Sequence, residues 1–107
     1  MAFHEHLNGR GQVEDTAKVS PTAYVGPNAR VEGNARVFQW AKLMGNSRVS
    51  GNALVTGRAQ LQDYAVVDGD AEVGGTALLL EQVHVSGTAK IEDCVFCGNT
   101  EINAGTF

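Results

Sequence analysis

Small and aliphatic residues recur every six positions from Ala17 onward. The first position of each hexad is almost always Ala, with Ser47, Val83 and Val95 as stand-ins. The third is Val, Leu or Ile in thirteen successive hexads, from Val19 to Ile91. The residue between them is polar or variable. A small-x-aliphatic alternation has the period of a strand, whose successive side chains point to opposite faces. Each hexad therefore predicts one short strand with two inward side chains. The last two positions predict a turn, where Gly-Asn or Gly-Asp accepts a positive φ cheaply.

A second period sits above the first. The segments starting at Val13, Val31, Val49, Val67 and Val85 align with one another. Three hexads thus make one coil, and five coils fill residues 13–102. One corner of each coil is especially regular: Gly33-Asn34, Gly51-Asn52, Gly69-Asp70 and Gly87-Thr88. Both periods are satisfied by an all-β, triangular solenoid whose strands pair in parallel with those one coil away. At roughly 4.8 Å between stacked strands, five coils make a rod on the order of 24 Å long. Residues 1–12 contain Phe3 and Leu7 among polar residues and are expected to form an N-terminal cap or arm. Residues 103–107 form the C-terminal end. Strict spacing there puts Cys97 among the inward aliphatics, Glu101 on an Ala row and Asn103 on a Val row. Either a one-residue slip turns Ile102 inward, or the coil stops on polar residues.

Composition narrows the function classes. The chain has 107 residues, 8 basic and 12 acidic side chains and a formal charge of -4, enough for one domain. That balance argues against a nucleic-acid surface. No apolar run is long enough to span a bilayer, and the first twenty residues show no signal-peptide h-region, so no membrane partner is expected and the location is open: cytoplasmic by default, unless the chain is part of a secreted or phage protein.

The repeat resembles the hexapeptide-repeat family, whose fold is the left-handed parallel β-helix. The resemblance covers about nine-tenths of the chain. It departs from the best-known enzyme version, which places Gly directly after the aliphatic residue; here only Gly26, Gly74 and Gly98 do so. The A-x-V-x-G-[ND] form is similar to poorly characterised bacterial and phage repeat proteins. The stretch Pro21 to Ala29 is also similar to repeat modules at the ends of some secreted bacterial virulence proteins. The resemblance implies a rigid, non-catalytic structural or interaction module, and a homo-oligomer, by preference a trimer.

Two enzyme readings come with the family. Acyltransferases of this type use a His general base, an acyl donor held between neighbouring subunits, and a loop extruded from a corner. The hexads here run uninterrupted, and His84 is the only His within them. A γ-type carbonic anhydrase needs three His ligands across a subunit boundary; the others, His4 and His6, lie in the expected cap. These features favour a non-catalytic module with no cofactor and no metal site, and leave an acyltransferase-like or γ-carbonic-anhydrase-like activity at a subunit boundary as the alternative. Cys94 and Cys97 form a lone C-x-x-C, which without a second pair cannot make a four-Cys zinc site. By register Cys97 is read as an inward hydrophobe and Cys94 as a corner residue. Asp63, Asp68, Asp70 and Glu72 are close in sequence, but the register spreads Asp68 and Glu72 over different faces. Calcium needs converging oxygens, so these read as solvated charge. Thr22, Thr76, Thr88 and Thr100 sit at corners, which removes the outward Thr rows of an ice-binding surface.

Two groups of outward apolar residues remain. Leu78, Leu80 and Phe96 should form one exposed patch, with Met44 in the same row as Leu80, and Val66 and Ile102 on the adjoining face. Contiguous exposed apolar surface marks an interface, here expected between copies of the chain. Tyr24, Phe38 and Trp40 line one edge of the early coils and are candidates for stacking on a sugar ring or anchoring a protein partner.

Overall fold

The computed structural model describes residues 3–93, 95–96 and 100–105. Among them are seventeen strands and no helix. All but the first belong to the coils of a three-sided parallel β-solenoid.

Strands are numbered in chain order. The first face carries Phe3–Glu5 (β1), Gln12–Glu14 (β2), Arg30–Val31 (β5), Arg48–Val49 (β8), Val66–Val67 (β11), His84–Val85 (β14) and Glu101–Ile102 (β17), stacked in that order. The second stacks Lys18–Val19 (β3), Arg36–Val37 (β6), Leu54–Val55 (β9), Glu72–Val73 (β12) and Lys90–Ile91 (β15). The third stacks Tyr24–Val25 (β4), Lys42–Leu43 (β7), Gln60–Leu61 (β10), Leu78–Leu79 (β13) and Val95–Phe96 (β16). Through the central coils each strand pairs in parallel with the residues eighteen positions away, as Val31 with Val49 and Val49 with Val67.

The interior consists of the two predicted columns. Val25, Val31, Val37, Leu43, Val49, Val55, Leu61 and their counterparts are fully buried, with Ala23, Ala29, Ala35, Ala41 and Ala53 beside them. Each buried Val or Leu contributes roughly 1.5–3 kcal/mol. Ser47 replaces an Ala in this column, and its buried hydroxyl has no hydrogen-bond partner.

From Gly33 to Gly87 the corners turn on a left-handed residue at the fifth hexad position. Gly33, Gly51, Gly69 and Gly87 have φ of +64°, +65°, +66° and +61°. A Cβ at Gly51 would also lie 3.0 Å from the Gly69 nitrogen. Gln39, Asp63 and Glu81 take the same conformation with φ near +60°, which costs a non-glycine residue about 1–2 kcal/mol. Two of the three recover a hydrogen bond. Gln39 Oε1 accepts from the Gly57 N–H at 3.0 Å, and Asp63 Oδ2 accepts from the Glu81 N–H at 3.1 Å. Each thereby satisfies a corner amide one coil on.

Both ends depart from the repeat, for reasons of backbone pairing. Strand β1 runs antiparallel to β2, so the chain folds back over the first coil. Residues 6–11 then stand where a preceding coil would be on the third face. The Gly11 N–H donates to the Val25 carbonyl at 2.8 Å, and the Val25 N–H to the Asn8 carbonyl at 3.0 Å. The buried His6 ring donates from Nε2 to the Ala23 carbonyl at 2.8 Å. A cap was expected here, but Leu7 does not serve as its lid, being 78% exposed. Phe3 instead lies under the Arg30 guanidinium, 5.1 Å from ring centre to Cζ.

At the other end the coil shortens. Ile91 still pairs with Val73, but Val95 pairs with Leu78 and Phe96 with Leu79. One residue has been lost at the corner between them. The side chain of Asp93 fills the gap, accepting from both the Thr76 N–H at 3.1 Å and the Thr76 hydroxyl at 3.0 Å. In the earlier coils that corner amide is satisfied by a backbone carbonyl, as Arg58 is by Gly75. Two sequence expectations change as a result. Phe96, expected in the outward row, stands in the register of the inward row, and Val95 takes the outward place at 64% exposure. Ile102 pairs with Val85 and is buried at 7% exposure, so it leaves the exposed patch and the slipped reading of the last coil holds. Cys94, Cys97 and Gly98 lie outside the described residues.

Two substitutions probe this interior. Val55→Asp places an unpaired carboxylate between stacked coils, a cost of several kcal/mol against a total stability of about 5–15 kcal/mol. Loss of the cooperative thermal transition is the expected result, and an unchanged melting temperature would contradict the register. Ser47→Ala removes an unsatisfied buried hydroxyl and should raise stability by about 1–3 kcal/mol, read from the denaturant midpoint.

Candidate interaction surfaces

With the inward positions occupied by the core, chemistry is confined to the outward strand residues, the position after each aliphatic residue, and the corners. The three faces differ sharply in what they place there.

The first face is charged and paired. Glu32 sits between Arg30 and Arg48, with N–O distances of 3.3 and 3.1 Å. Further along, His84 Nε2 lies 3.0 Å from Asp68 Oδ2, both half-buried. His84 is outward as expected, with a carboxylate in reach. Val66 stands half-buried between Arg48 and His84 in the same row. The two cap histidines engage different partners, His4 pairing with Asp15 at 2.9 Å and His6 with Ala23. Among the described residues no three His, Cys, Asp or Glu side chains group as a metal site. No helix is long and apolar enough to cross a membrane.

The second face alternates along its length. Lys18, Arg36, Leu54, Glu72 and Lys90 form its outward row. Phe38, half-buried, follows Val37 on this face. Where Gly74 leaves the position after Val73 without a side chain, a notch of about 220 Å³ opens, lined by Thr56, Glu72, Lys90 and Glu92.

The third face is nearly free of charge. Its outward strand row reads Tyr24, Lys42, Gln60, Leu78, Val95. The parallel row behind it reads Gly26, Met44, Gln62, Leu80. Lys42 is the single charged side chain among these described residues. The two amides at its middle bond to each other, Gln62 Nε2 donating to Gln60 Oε1 at 3.2 Å. Leu78 and Leu80 are half-buried by neighbours within the chain rather than open, and the exposed Val95 takes the outward place expected for Phe96. Tyr64, 59% exposed, marks the corner on one side of this face, and Trp40, 57% exposed, the corner on the other.

The three aromatic candidates are not brought into one site. Tyr24 belongs to the third face, half-buried against the backbone of Gly9 and Gly26 under the N-terminal arm. Phe38 belongs to the second face. Trp40 alone opens onto a cleft, of about 410 Å³, lined with Lys42, Arg58 and Gln60. Arg58 and Gln60 stand one coil beyond Trp40 and Lys42, so four side chains from two coils make a square.

Charge also divides along the axis. Residues 1–62 carry seven basic and four acidic side chains, and residues 63–107 carry one basic and eight acidic. The two halves therefore hold formal charges of +3 and -7 within a chain of -4. The whole-chain charge conceals this, though a count by halves would have revealed it from the sequence.

Comparison with protein-family models, with curated proteins and with solved structures gives no match to this chain.

Proposed function

We propose that the protein is a non-catalytic, rigid scaffold module that self-associates through its third face. The observation that carries this reading is the near-absence of charge on that face beside two faces rich in it. Depletion of charge at the centre, with a polar rim, is the compositional mark of an interface. Met44, Leu78, Leu80 and Val95 supply the apolar contact, and the bonded Gln60–Gln62 pair lowers the cost of desolvating the middle. Side chains fixed on a stacked β-sheet lose little freedom on binding, which favours association over a flexible surface of equal area.

The axial charge division bears on how copies meet. An antiparallel pair sets the +3 half of one chain against the -7 half of the other. A trimer about an axis parallel to the rod, the form that the hexapeptide-repeat resemblance implies, places like halves side by side. The antiparallel pair is therefore the favoured geometry, with a bacterial or phage scaffold as the biological setting suggested by the repeat form.

Sedimentation reads both. Leu78→Glu should weaken self-association at least about tenfold, equivalent to ~1.4 kcal/mol, with the β-sheet circular dichroism retained. Raising ionic strength from about 0.05 to 0.5 M should loosen the antiparallel pair, because the Debye length shrinks from over 10 Å to a few Å. A parallel trimer would tighten instead. A wild-type chain that sediments as a monomer at high concentration removes the proposal.

A further inference from the structure

The Trp40 cleft holds a combination that self-association does not need. An exposed indole stands at a convex corner, flanked by Lys42, Arg58 and Gln60. Its surroundings are free of carboxylates over a wide area: no Asp or Glu occurs in residues 16–26, 34–44 or 52–62. Those three stretches form the second and third faces and their shared corner through the first three coils. Within them lie Lys18, Arg36, Lys42 and Arg58, a basic quadrant on a chain of net charge -4.

We infer that this cleft binds an acidic sugar, specifically a uronate residue of a carbohydrate chain. Each part of the ligand has a matching group. The apolar C–H face of a pyranose ring removes the open indole surface from water. A ring carboxylate matches the fork of the Arg58 guanidinium, which can donate two parallel hydrogen bonds, with Lys42 as a second cation beside it. The Gln60 amide, holding one bond with Gln62, keeps further donor and acceptor capacity for ring hydroxyls. The cleft is open at a corner, so it suits a ring held in a longer chain that extends beyond it. Nucleic acid fits less well. Its phosphates crowd one charge into about every 1.7 Å of duplex axis, and the -7 half of the rod repels such a polyanion. The site lies within one chain and does not depend on self-association.

Trp40 is the only tryptophan in the chain, so its fluorescence reports on the cleft directly. The probes are a short oligogalacturonate, the same oligosaccharide fully methyl-esterified, and a single-stranded oligothymidine. Saturable quenching by the acid form is expected. The methyl ester should bind at least about tenfold more weakly, since esterification removes the charge and keeps the ring. Arg58→Gln should weaken the acid form to a similar degree. Trp40→Ala, checked by circular dichroism for an intact fold, should abolish the heat of binding in calorimetry. Val95→Gln, which alters the self-contact face two coils from Gln60 and adds no charge, should bind the acid form as wild type does. Equal affinity for the ester, an unaffected Arg58→Gln, oligothymidine bound as tightly, or no saturable signal would each overturn the assignment. Loss of binding in Val95→Gln would overturn the single-chain site.

Discussion

The parallel hydrogen-bond ladder between residues eighteen apart constrains everything else in this molecule. Ala and Val can stack as columns only if every coil closes to the same length and presents the same register to the next. The corners enforce that closure. A left-handed residue at the fifth hexad position lets the chain turn while the next amide still reaches a carbonyl one coil on, as Asn34 does to Gly51 and Asn52 to Gly69. At two of the three left-handed corners that are not glycine the side chain is put to use: Gln39 and Asp63 each satisfy an amide that the ladder leaves over. Because each coil touches only its neighbours, stability is close to a sum of coil and interface terms. A change in coil length is then tolerated only near an end, where few coils must follow it. The lost residue between Ile91 and Val95 sits in such a place.

A core so uniform carries no functional information, and the outward lattice carries all of it. Positions eighteen apart are neighbours along the axis, and positions two apart are neighbours across a strand. Arg30, Glu32 and Arg48 meet on one face through this lattice, and Trp40, Lys42, Arg58 and Gln60 at a corner. The same lattice separates residues that look clustered in sequence. Asp68 turns to His84 on the first face, while Glu72 lies opposite Leu54 and Lys90 on the second.

The coils, the inward columns and the regular corner were legible because the period is strict and each position has one physical demand. The ends were not, because there the demand changes from stacking to satisfying open strand edges. His6 looks like a surface or metal-binding residue by type, yet it closes the Ala23 carbonyl. Phe96 was assigned outward by counting eighteens, and the single residue lost before it moves it to the inward register. Ile102 moved with it; the polar Glu101 and Asn103 on inward rows were the sign that the count had slipped. The repeat places Tyr24, Phe38 and Trp40 around one edge of the early coils. Their lattice positions separate them, and the same arithmetic would have placed Arg58 and Gln60 beside Trp40 and Lys42.

The proposed self-contact and the proposed sugar site share an edge, and that sharing limits what the edge can contain. Lys42 and Gln60 belong to the outward row of the third face and also to the wall of the Trp40 cleft. An additional charge in that row would burden an apolar contact with a desolvation cost, while an aliphatic residue would strip the cleft of polar partners. One cation at the rim and one amide at the middle meet both requirements. Trp40 and Arg58 stand on the corner itself, one step outside the sheet, where a carbohydrate chain can reach them while the flat face is covered. The division between a nearly uncharged face and a charged, aromatic corner would thus let one rigid rod present both proposed surfaces, with Lys42 and Gln60 as the groups that the two must share.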